Sequence, residues 1–258
     1  MTIAILSALP EEQHGLAHAL QDRNTVQHAG RSFEVGSLHG QRVVLALSGI
    51  GKVAAATTTA ALIERFGAQS LVFTGVAGGM GHGVHVGDVV VASQFVQHDM
   101  DVRPLFARWQ VPGYPSPTFD CDAALRQGLL QAAQDCVQAC VHWNEPMLAG
   151  LQPSAHCGLI ASGDQFIVSA QISHRIREDL YGAGYDTLAV EMEGAAIAQT
   201  CADYGIPFAA VRTISDRADD NAHVDFPAFV GAVARRYAQH IVSHWLQSIA
   251  STCCSHNH

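Results

Sequence analysis

Positive charge is the scarcest property of this sequence. Its 258 residues hold 14 basic side chains, of which Lys52 is the one lysine, and Arg235 and Arg236 form the closest pair. Against these stand 23 acidic residues, which gives a formal net charge of −9. A nucleic-acid-binding protein usually presents a basic face. We therefore expect no nucleic-acid partner, and the charge favours a small uncharged or cationic ligand.

Long apolar runs are also missing. No stretch of about 18 apolar residues occurs, so we expect no membrane partner. The apolar segment 3–6 is too short for the core of a signal peptide and runs into Pro10, Glu11 and Glu12. The seven cysteines are an odd number without a regular spacing. These features predict free thiols and a cytoplasmic location.

Charged residues make up 14% of the chain and apolar residues 48%. A typical soluble domain carries roughly 25% charged residues, so the small charged surface hints at self-association. Short β-branched runs alternate with helical patterns, among them predicted helices at 11–21, 52–66 and 123–140 and a closing helix at 226–249. This alternation predicts an α/β fold, a single domain with a mixed central β-sheet flanked by helices. We place the domain at residues 1–250 and expect 251–258 to be a flexible tail.

Ligands of open α/β sheets bind outside the carboxyl ends of the strands. The predicted strands end near Ala8, Thr74, Ser162, Val190 and Ile214, and acidic or basic residues follow four of these ends. Carboxylates that converge in a crevice are costly unless they are paired or used. The strand ends therefore predict a site.

Simpler interpretations exist for each of these residues. Glutamates such as Glu12 and Glu193 suit the first turn of a helix, where the helix dipole favours negative charge. Arg212 and Asp216 could form a structural ion pair, and Phe166 could belong to the core. The combination at successive strand ends favours the functional interpretation.

Two familiar patterns can be excluded. The segment 48–53 is not a phosphate-binding P-loop, because Ala46 replaces the first glycine and Val53 replaces the serine or threonine after the lysine. Nor is it a dinucleotide fingerprint, because Ala54 replaces the third glycine. We expect no metal at the histidine and aspartates of 98–101 or at the cysteines and histidines of 253–258.

Several motifs, in this order and spacing, resemble the 5′-methylthioadenosine/S-adenosylhomocysteine nucleosidases of the type 1 purine nucleoside phosphorylase superfamily. The resemblance covers nearly the whole chain. Its motifs are ALPEE at 8–12, SGIGKVAAA at 48–56, HDMDV at 98–102, SGDQFI at 162–167, VEME at 190–193 and RTISD at 212–216.

The resemblance implies roles for the residues that match these motifs. Asp216 is expected to donate a proton to purine N7 with support from Ser215. Glu12 is expected to hold the attacking water with Arg212 close by, and Glu193 to bind the ribose hydroxyls. We expect catalysis from these residues because cleavage of an N-glycosidic bond leaves a purine anion and a cationic sugar, which an acid and carboxylates stabilise.

The resemblance also implies the substrate contacts. Met192 is expected beneath the sugar, Phe166 on the face of the base and the backbone of Ile167 at its edge. Val102 is expected to enter the pocket of a partner subunit, so the resemblance implies a homodimer. It calls for no cofactor, and its partners are a nucleoside and water.

The strand-end residues Val76, Ala77 and Gly78 are also expected to bind substrate, although Val76 stands where many members have serine. The proline-rich loop 103–119 departs from the family and shapes the expected pocket for the 5′ substituent, and loop 143–156 has no assigned role. The predicted function is hydrolysis of 5′-thio-substituted adenine nucleosides. The alternatives are a phosphate-dependent phosphorylase and a non-catalytic nucleoside-binding protein.

Overall fold

The computed structural model describes residues 1–254, with the side chains of all of these except 223–225, 228 and 252–254. The strands are β1 (Thr2–Ser7), β2 (Gln21–His28), β3 (Arg31–Leu38), β4 (Gln41–Leu47), β5 (Ser70–Gly79), β6 (Val89–Gln97), β7 (Thr118–Asp120), β8 (Ala155–Ser162), β9 (Thr187–Glu191) and β10 (Phe208–Asp216). The helices are α1 (Pro10–Ala19), α2 (Lys52–Phe66), α3 (Ala123–Cys140), α4 (Ala170–Gly182), α5 (Gly194–Tyr204), α6 (Ala222–Phe229) and α7 (Arg235–Cys254).

One mixed sheet contains all these strands, which confirms the predicted α/β class. Strands β5, β10, β6, β8 and β9 pair in a closed circuit, and β1, β4, β3 and β2 continue the sheet outward from β5. The neighbours β4, β1, β5 and β10 are parallel, so their carboxyl ends lie at one edge. The carboxyl ends of β8 and β9, which are parallel to each other, join them across the circuit.

Helices cover both faces of the sheet because the inner strands are apolar on both sides. Along β1, Ile3 and Ile5 pack into a core beneath α1, α3 and α7, while Ala4 and Leu6 pack into a second core beneath α2 and α5. A smaller third cluster lies under α4 and includes Leu180. Every residue of β5 and of β10 is buried, so the polar side chains of these two strands have little contact with solvent.

The structure differs from the sequence prediction in several elements. Strand β5 continues through its glycines to Gly79, because the absence of side chains allows Gly78 and Gly79 to pair with β9. The sequence prediction missed β2, β7 and α4, all three of which are short or carry many polar residues. The predicted closing helix is wrong as one element, since a π-helical segment at Val230–Ala234 separates α6 from α7.

Helix α7 ends at Cys254, so it continues past the boundary expected at residue 250. The rest of the expected tail, residues 255–258, lies outside the described residues. Cys121, Cys136, Cys140 and Cys201 are buried free thiols, and Cys157 is an exposed one. Along residues 1–254, no helix combines the length and the apolar character that crossing a bilayer requires.

Candidate active site

A cavity of about 350 Å³ opens where the carboxyl ends of β1, β5, β9 and β10 meet. The cavity is lined by Ala8, Leu9 and Glu12 after β1, residues 76–78 of β5, residues 190–193 at the end of β9 and just beyond it, and Ser215 with Asp216 at the end of β10, together with Ile50, Phe166 and Phe226. A second cavity of about 20 Å³ adjoins it at Gly78, Phe166 and Asp216. None of the described residues that line either cavity is a lysine or an arginine.

Glu12 lies in the first turn of α1 with its carboxylate turned into the cavity. Its Oε2 accepts hydrogen bonds of 2.9 Å from the N–H groups of Ala8 and Leu9, and Oε1 accepts one of 3.1 Å from Val76. Burial raises the pKa of Glu12 above its ordinary value, although Arg212 and the three N–H groups oppose this rise. The carboxylate is thus fixed by backbone donors, and burial holds its pKa above that of a surface glutamate.

Arg212 is the central cation behind the cavity, and its side chain is 1% exposed. Its Nη2 lies 2.5 Å from Oε2 of Glu191 and 3.9 Å from Oε2 of Glu193. The guanidinium also stacks on Phe73, with 3.5 Å between its carbon and the ring centroid. The predicted alternative of an ion pair between Arg212 and Asp216 is not borne out, because Arg212 pairs with Glu191 and Glu193 instead.

The carboxylate of Glu191 accepts hydrogen bonds from several groups around it. It accepts hydrogen bonds from the Ser162 hydroxyl and from the N–H groups of Glu193 and Gly194, at 3.1 Å and 2.9 Å. Together with Arg212, these bonds saturate its oxygens. Glu191 is therefore the anchor that orients Arg212, while Glu193 keeps one side open to the cavity.

Glu193 lies two residues after β9, directly before α5, and lines the cavity. Its Oε1 accepts a hydrogen bond of 2.8 Å from the N–H of Gly51. Burial and the neighbouring Glu191 raise the pKa of Glu193 to about 8, in spite of the opposing charge of Arg212. A carboxylate in this position can accept hydrogen bonds from ligand hydroxyls and can stabilise a developing positive charge.

Asp216 is the last residue of the buried strand β10 and lines the cavity. Its Oδ2 accepts a 2.8 Å hydrogen bond from the Ser215 hydroxyl, and its Oδ1 accepts one of 2.8 Å from the N–H of Ala218. Both cavities reach this carboxyl group. Asp216 and Glu12 therefore both line the main cavity, and of the two only Asp216 also lines the smaller one.

The side chains expected at the base and the sugar also line these cavities. Phe166 is 42% exposed, so it is not a core residue, and it meets the ring of Phe226 at 5.3 Å in an edge-to-face contact. Met192 lines both cavities, and Ile167 lines the smaller one. An aromatic ring and a carboxyl group, those of Phe166 and Asp216, thus line both cavities.

The remaining predicted site residues divide into two groups. Val76, Ala77 and Gly78 line the main cavity, so the structure brings them together with the carboxylates. Val102 is half-buried and lies outside both cavities of its own chain. Its expected place in a neighbouring subunit stays a prediction.

Sequence reasoning missed three contributors to this site. Glu191 binds Arg212, and the strand pattern alone does not separate this carboxylate from that of Glu193, which lines the same cavity. Gly51 contributes through its backbone, which its side-chain identity does not reveal. Phe226 comes from a segment that was assigned to a continuous helix, and no local signal marks it. Within residues 1–254, no group of three or more His, Cys, Asp or Glu side chains is arranged to hold a metal ion.

Comparison with known proteins agrees with this geometry. Residues 2–247 match the family model of the phosphorylase superfamily, and the chain belongs to that superfamily. Within it, the chain is 38% identical over 244 residues to the 5′-methylthioadenosine/S-adenosylhomocysteine nucleosidase of Geobacillus thermodenitrificans, which covers 94% of this chain and 95% of that protein.

Two solved structures illustrate the similarity of fold. The 5′-methylthioadenosine/S-adenosylhomocysteine nucleosidase of Neisseria meningitidis, in complex with methylthio-immucillin-A, matches with a TM-score of 0.83 and 36% identity over 96% of this chain and 99% of that one. The futalosine hydrolase of Helicobacter pylori matches with a TM-score of 0.80 and 30% identity, covering 95% and 97%. The chain is therefore similar to nucleosidases that act on more than one kind of nucleoside.

Proposed function

We propose that this protein hydrolyses the N-glycosidic bond of 5′-thio-substituted adenine nucleosides, such as methylthioadenosine and S-adenosylhomocysteine, and releases adenine. The observation that carries this proposal is the position of Glu12. Its buried carboxylate lines the cavity and is held there by three backbone N–H groups. A carboxylate at this place would repel an anionic co-substrate. Water is the nucleophile that suits such a carboxylate.

The proposed reaction needs an acid on one side of the nucleoside and a base on the other. Asp216 donates a proton to N7 of the leaving base, so the purine departs as a neutral molecule, and Ser215 holds the carboxyl group in place. Glu12 orients a water molecule and accepts its proton as the water attacks C1′. A positioned acid or base of this kind typically contributes about 10²- to 10⁴-fold.

Sugar and base are bound by the remaining residues in this proposal. Glu193 accepts hydrogen bonds from the ribose hydroxyls and stabilises the cationic sugar, with Met192 beneath the ring. Phe166 stacks on the purine, and the backbone of Ile167 contacts its edge. The Neisseria meningitidis relative holds methylthio-immucillin-A, and a Colwellia psychrerythraea relative at 34% identity holds adenine, which supports a nucleoside as the ligand here.

A phosphorylase of the same fold is the first alternative. Holding a phosphate dianion beside C1′ requires cationic side chains or free backbone donors. The described residues that line the cavity include neither lysine nor arginine, and the Arg212 guanidinium is already bound by Glu191. A non-catalytic nucleoside-binding protein is the second alternative, and it would have no need for both Glu12 and Asp216.

The decisive test is the release of adenine from methylthioadenosine in the presence and absence of phosphate. We expect equal rates in both and free methylthioribose as the second product. A strict requirement for phosphate, with a sugar 1-phosphate as product, would show a phosphorylase. Tight binding of the nucleoside without any release of base would show a binding protein.

The 5′ substituent needs its own experiment because futalosine hydrolase is among the similar structures. A panel of methylthioadenosine, S-adenosylhomocysteine, 5′-deoxyadenosine, a 6-amino futalosine-type nucleoside, adenosine, inosine and AMP would be compared by kcat/KM for release of the base. We expect the two thioether substrates to rank first. A higher value for the futalosine-type nucleoside would reassign the substrate while keeping the reaction.

A further inference from the structure

The one lysine of the sequence lies beside the candidate active site without lining it. Lys52 begins α2, and its ammonium Nζ lies 2.6 Å from Oδ1 of Asp99 and donates to Oε1 of Gln97 at 3.0 Å. Its side chain is 17% exposed. A cation this far from water is stable only with such partners, so the contacts fix where the side chain can lie.

A closed set of hydrogen bonds links Lys52 to two aspartates from different segments. Asp99 follows β6, and its Oδ2 accepts a 2.9 Å hydrogen bond from the N–H of Asp164, which follows β8. The Oδ1 of Asp164 in turn accepts a 2.8 Å hydrogen bond from the N–H of Lys52. Burial acts to raise the pKa of Asp99, but its bonds with Lys52 and Asp164 outweigh this and hold the pKa below its ordinary value.

The same turn of the chain donates a hydrogen bond to the candidate active site. Gly51 directly precedes Lys52, and its N–H donates to Oε1 of Glu193 at 2.8 Å. Gly51 has φ of +98°, which only glycine adopts easily, and a Cβ at this position would lie 3.2 Å from Oδ1 of Asp164. The N–H of Gly51 thus donates to Glu193, and the next N–H, that of Lys52, donates to Asp164. Because the two N–H groups are adjacent in the chain, the direction of the Gly51 N–H depends on how Lys52 is held.

We propose that Lys52, Asp99 and Asp164 form a positioning cluster that aims the N–H of Gly51 at Glu193. The cluster touches no substrate atom. Its effect is to hold the carboxylate of Glu193 at a fixed place on the cavity wall. The kinetic consequence of this inference rests on the proposed function, in which Glu193 binds the ribose hydroxyls, whereas the structural consequence does not.

Amide hydrogen exchange tests the structural consequence in the wild-type protein and in the variants Lys52→Met and Asp99→Asn. The N–H of Ala55 donates to the carbonyl of Gly51 in the first turn of α2, so it reports on the helix start. The cluster predicts faster exchange at Gly51, by about tenfold or more, with little change at Ala55. Equal acceleration at both amides, or at neither, in two folded variants would overturn the cluster as a positioning device.

Kinetics then test the consequence for the substrate. Methylthioadenosine is compared with its 2′,3′-dideoxy analogue, which cannot engage Glu193. We expect Lys52→Met to lower kcat/KM for the ribose substrate about 10- to 100-fold while the dideoxy substrate changes far less. Lys52→Arg, which keeps a cation near Asp99, should retain most of the activity.

A matched control separates this effect from the loss of any surface cation. Arg23 pairs with Glu34 at 2.6 Å on the outer hairpin, and Arg23→Gln should leave the ratio of the two substrates unchanged. Equal losses for both substrates in Lys52→Met would overturn the kinetic part of the inference. A wild-type protein that releases no adenine would overturn the proposed function instead, and the exchange of Gly51 would still decide on the cluster.

Discussion

Two neighbouring glutamates in the first turn of α1 have the same side chain and opposite surroundings. Glu11 is exposed, whereas Glu12 is 2% exposed and held by three backbone N–H groups. The helix dipole acts on both, so it explains neither the burial of Glu12 nor its raised pKa. The burial is costly, and the proposed use of the carboxylate on water is what would justify it.

Substitution of Glu12 by glutamine should therefore remove turnover. We expect Glu12→Gln to lower kcat about 10²- to 10⁴-fold, because an amide cannot accept the proton of water. Binding of the nucleoside should change only a few-fold, as measured by calorimetry. Glu11→Gln in the same helical turn is the control and should retain full turnover; near-normal turnover in Glu12→Gln would remove Glu12 from the mechanism.

The raised pKa of Glu193 links the pH to the stability of the fold. In the unfolded chain the group titrates near 4.5, and in the folded protein burial and Glu191 raise its pKa to about 8. The folded state therefore binds this proton more tightly than the unfolded chain does, which stabilises the fold. This stabilisation is complete at pH values below the pKa of the unfolded chain and is lost as the pH rises through the pKa of the folded protein.

Replacement of Glu193 by glutamine should abolish this pH dependence. We expect the melting temperature of Glu193→Gln, relative to wild type, to increase between about pH 5 and pH 9 by at least about 2 °C. The same comparison with Glu11→Gln should show no trend. Parallel curves for wild type and Glu193→Gln would mean that Glu193 titrates as a surface group does.

At the scale of single residues, the sequence predicted Glu12, Glu193, Arg212 and Asp216 at the cavity or directly behind it. It could do so because the carboxyl ends of strands in an α/β sheet converge, whatever the details of the loops. It could not identify the partner of Arg212, because Asp216 is nearer in sequence while Glu191 is nearer in space. That choice depends on the pairing of β8 with β9, which brings Ser162 beside Glu191.

In strand β5, the absence of a side chain at Gly75 leaves space for the side chains of Glu12 and Arg212. Gly75 lies next to Glu12 and Arg212, and a Cβ there would lie 2.6 Å from Oε1 of Glu12 and 2.3 Å from Nη1 of Arg212. Both groups are buried and hydrogen-bonded, so neither can move away freely. Gly75, which the sequence prediction placed after the end of the strand, is thus what lets β5 pass close to both side chains.

Gly75→Ala should consequently damage both stability and turnover. We expect a loss of about 1–3 kcal/mol in the free energy of unfolding, as for other overpacked sites, and a fall in kcat/KM larger than this loss of folded protein explains. Denaturant titration and steady-state kinetics measure the two effects. Gly182→Ala, where a Cβ meets nothing within 4 Å, is the control and should change neither.

The closing helical region was the least predictable element. Its apolar pattern continues without interruption from Phe226 onward, so periodicity alone predicts a single helix. The π-helical segment at Val230–Ala234 adds a residue to one turn and shifts the face of α6 relative to α7. Within α6, Phe226 meets Phe166 at the cavity while Phe229 is fully buried, an arrangement that depends on tertiary packing.

On the scale of the whole molecule, two short stretches of the chain expose large apolar side chains to water. Ile50 and Val53 at the start of α2 are 60% and 78% exposed, and Leu105 and Phe106 in the loop after Val102 are 81% and 46% exposed. Single exposed apolar residues are ordinary, but grouped ones indicate an interaction surface. Together with the low content of charged residues, they support the prediction that the protein is a homodimer.

Complementation between inactive variants tests whether Val102 completes the site of the other subunit. Glu12→Gln and Val102→Asp should each be nearly inactive alone. If subunits exchange at random after mixing and refolding, half of the dimers are mixed, and each mixed dimer holds one site with both Glu12 and Val102 intact. The mixture should then recover about a quarter of the wild-type activity. Sedimentation should show dimers throughout, and a mixture of dimers that stays inactive would contradict a contribution of Val102 across the interface.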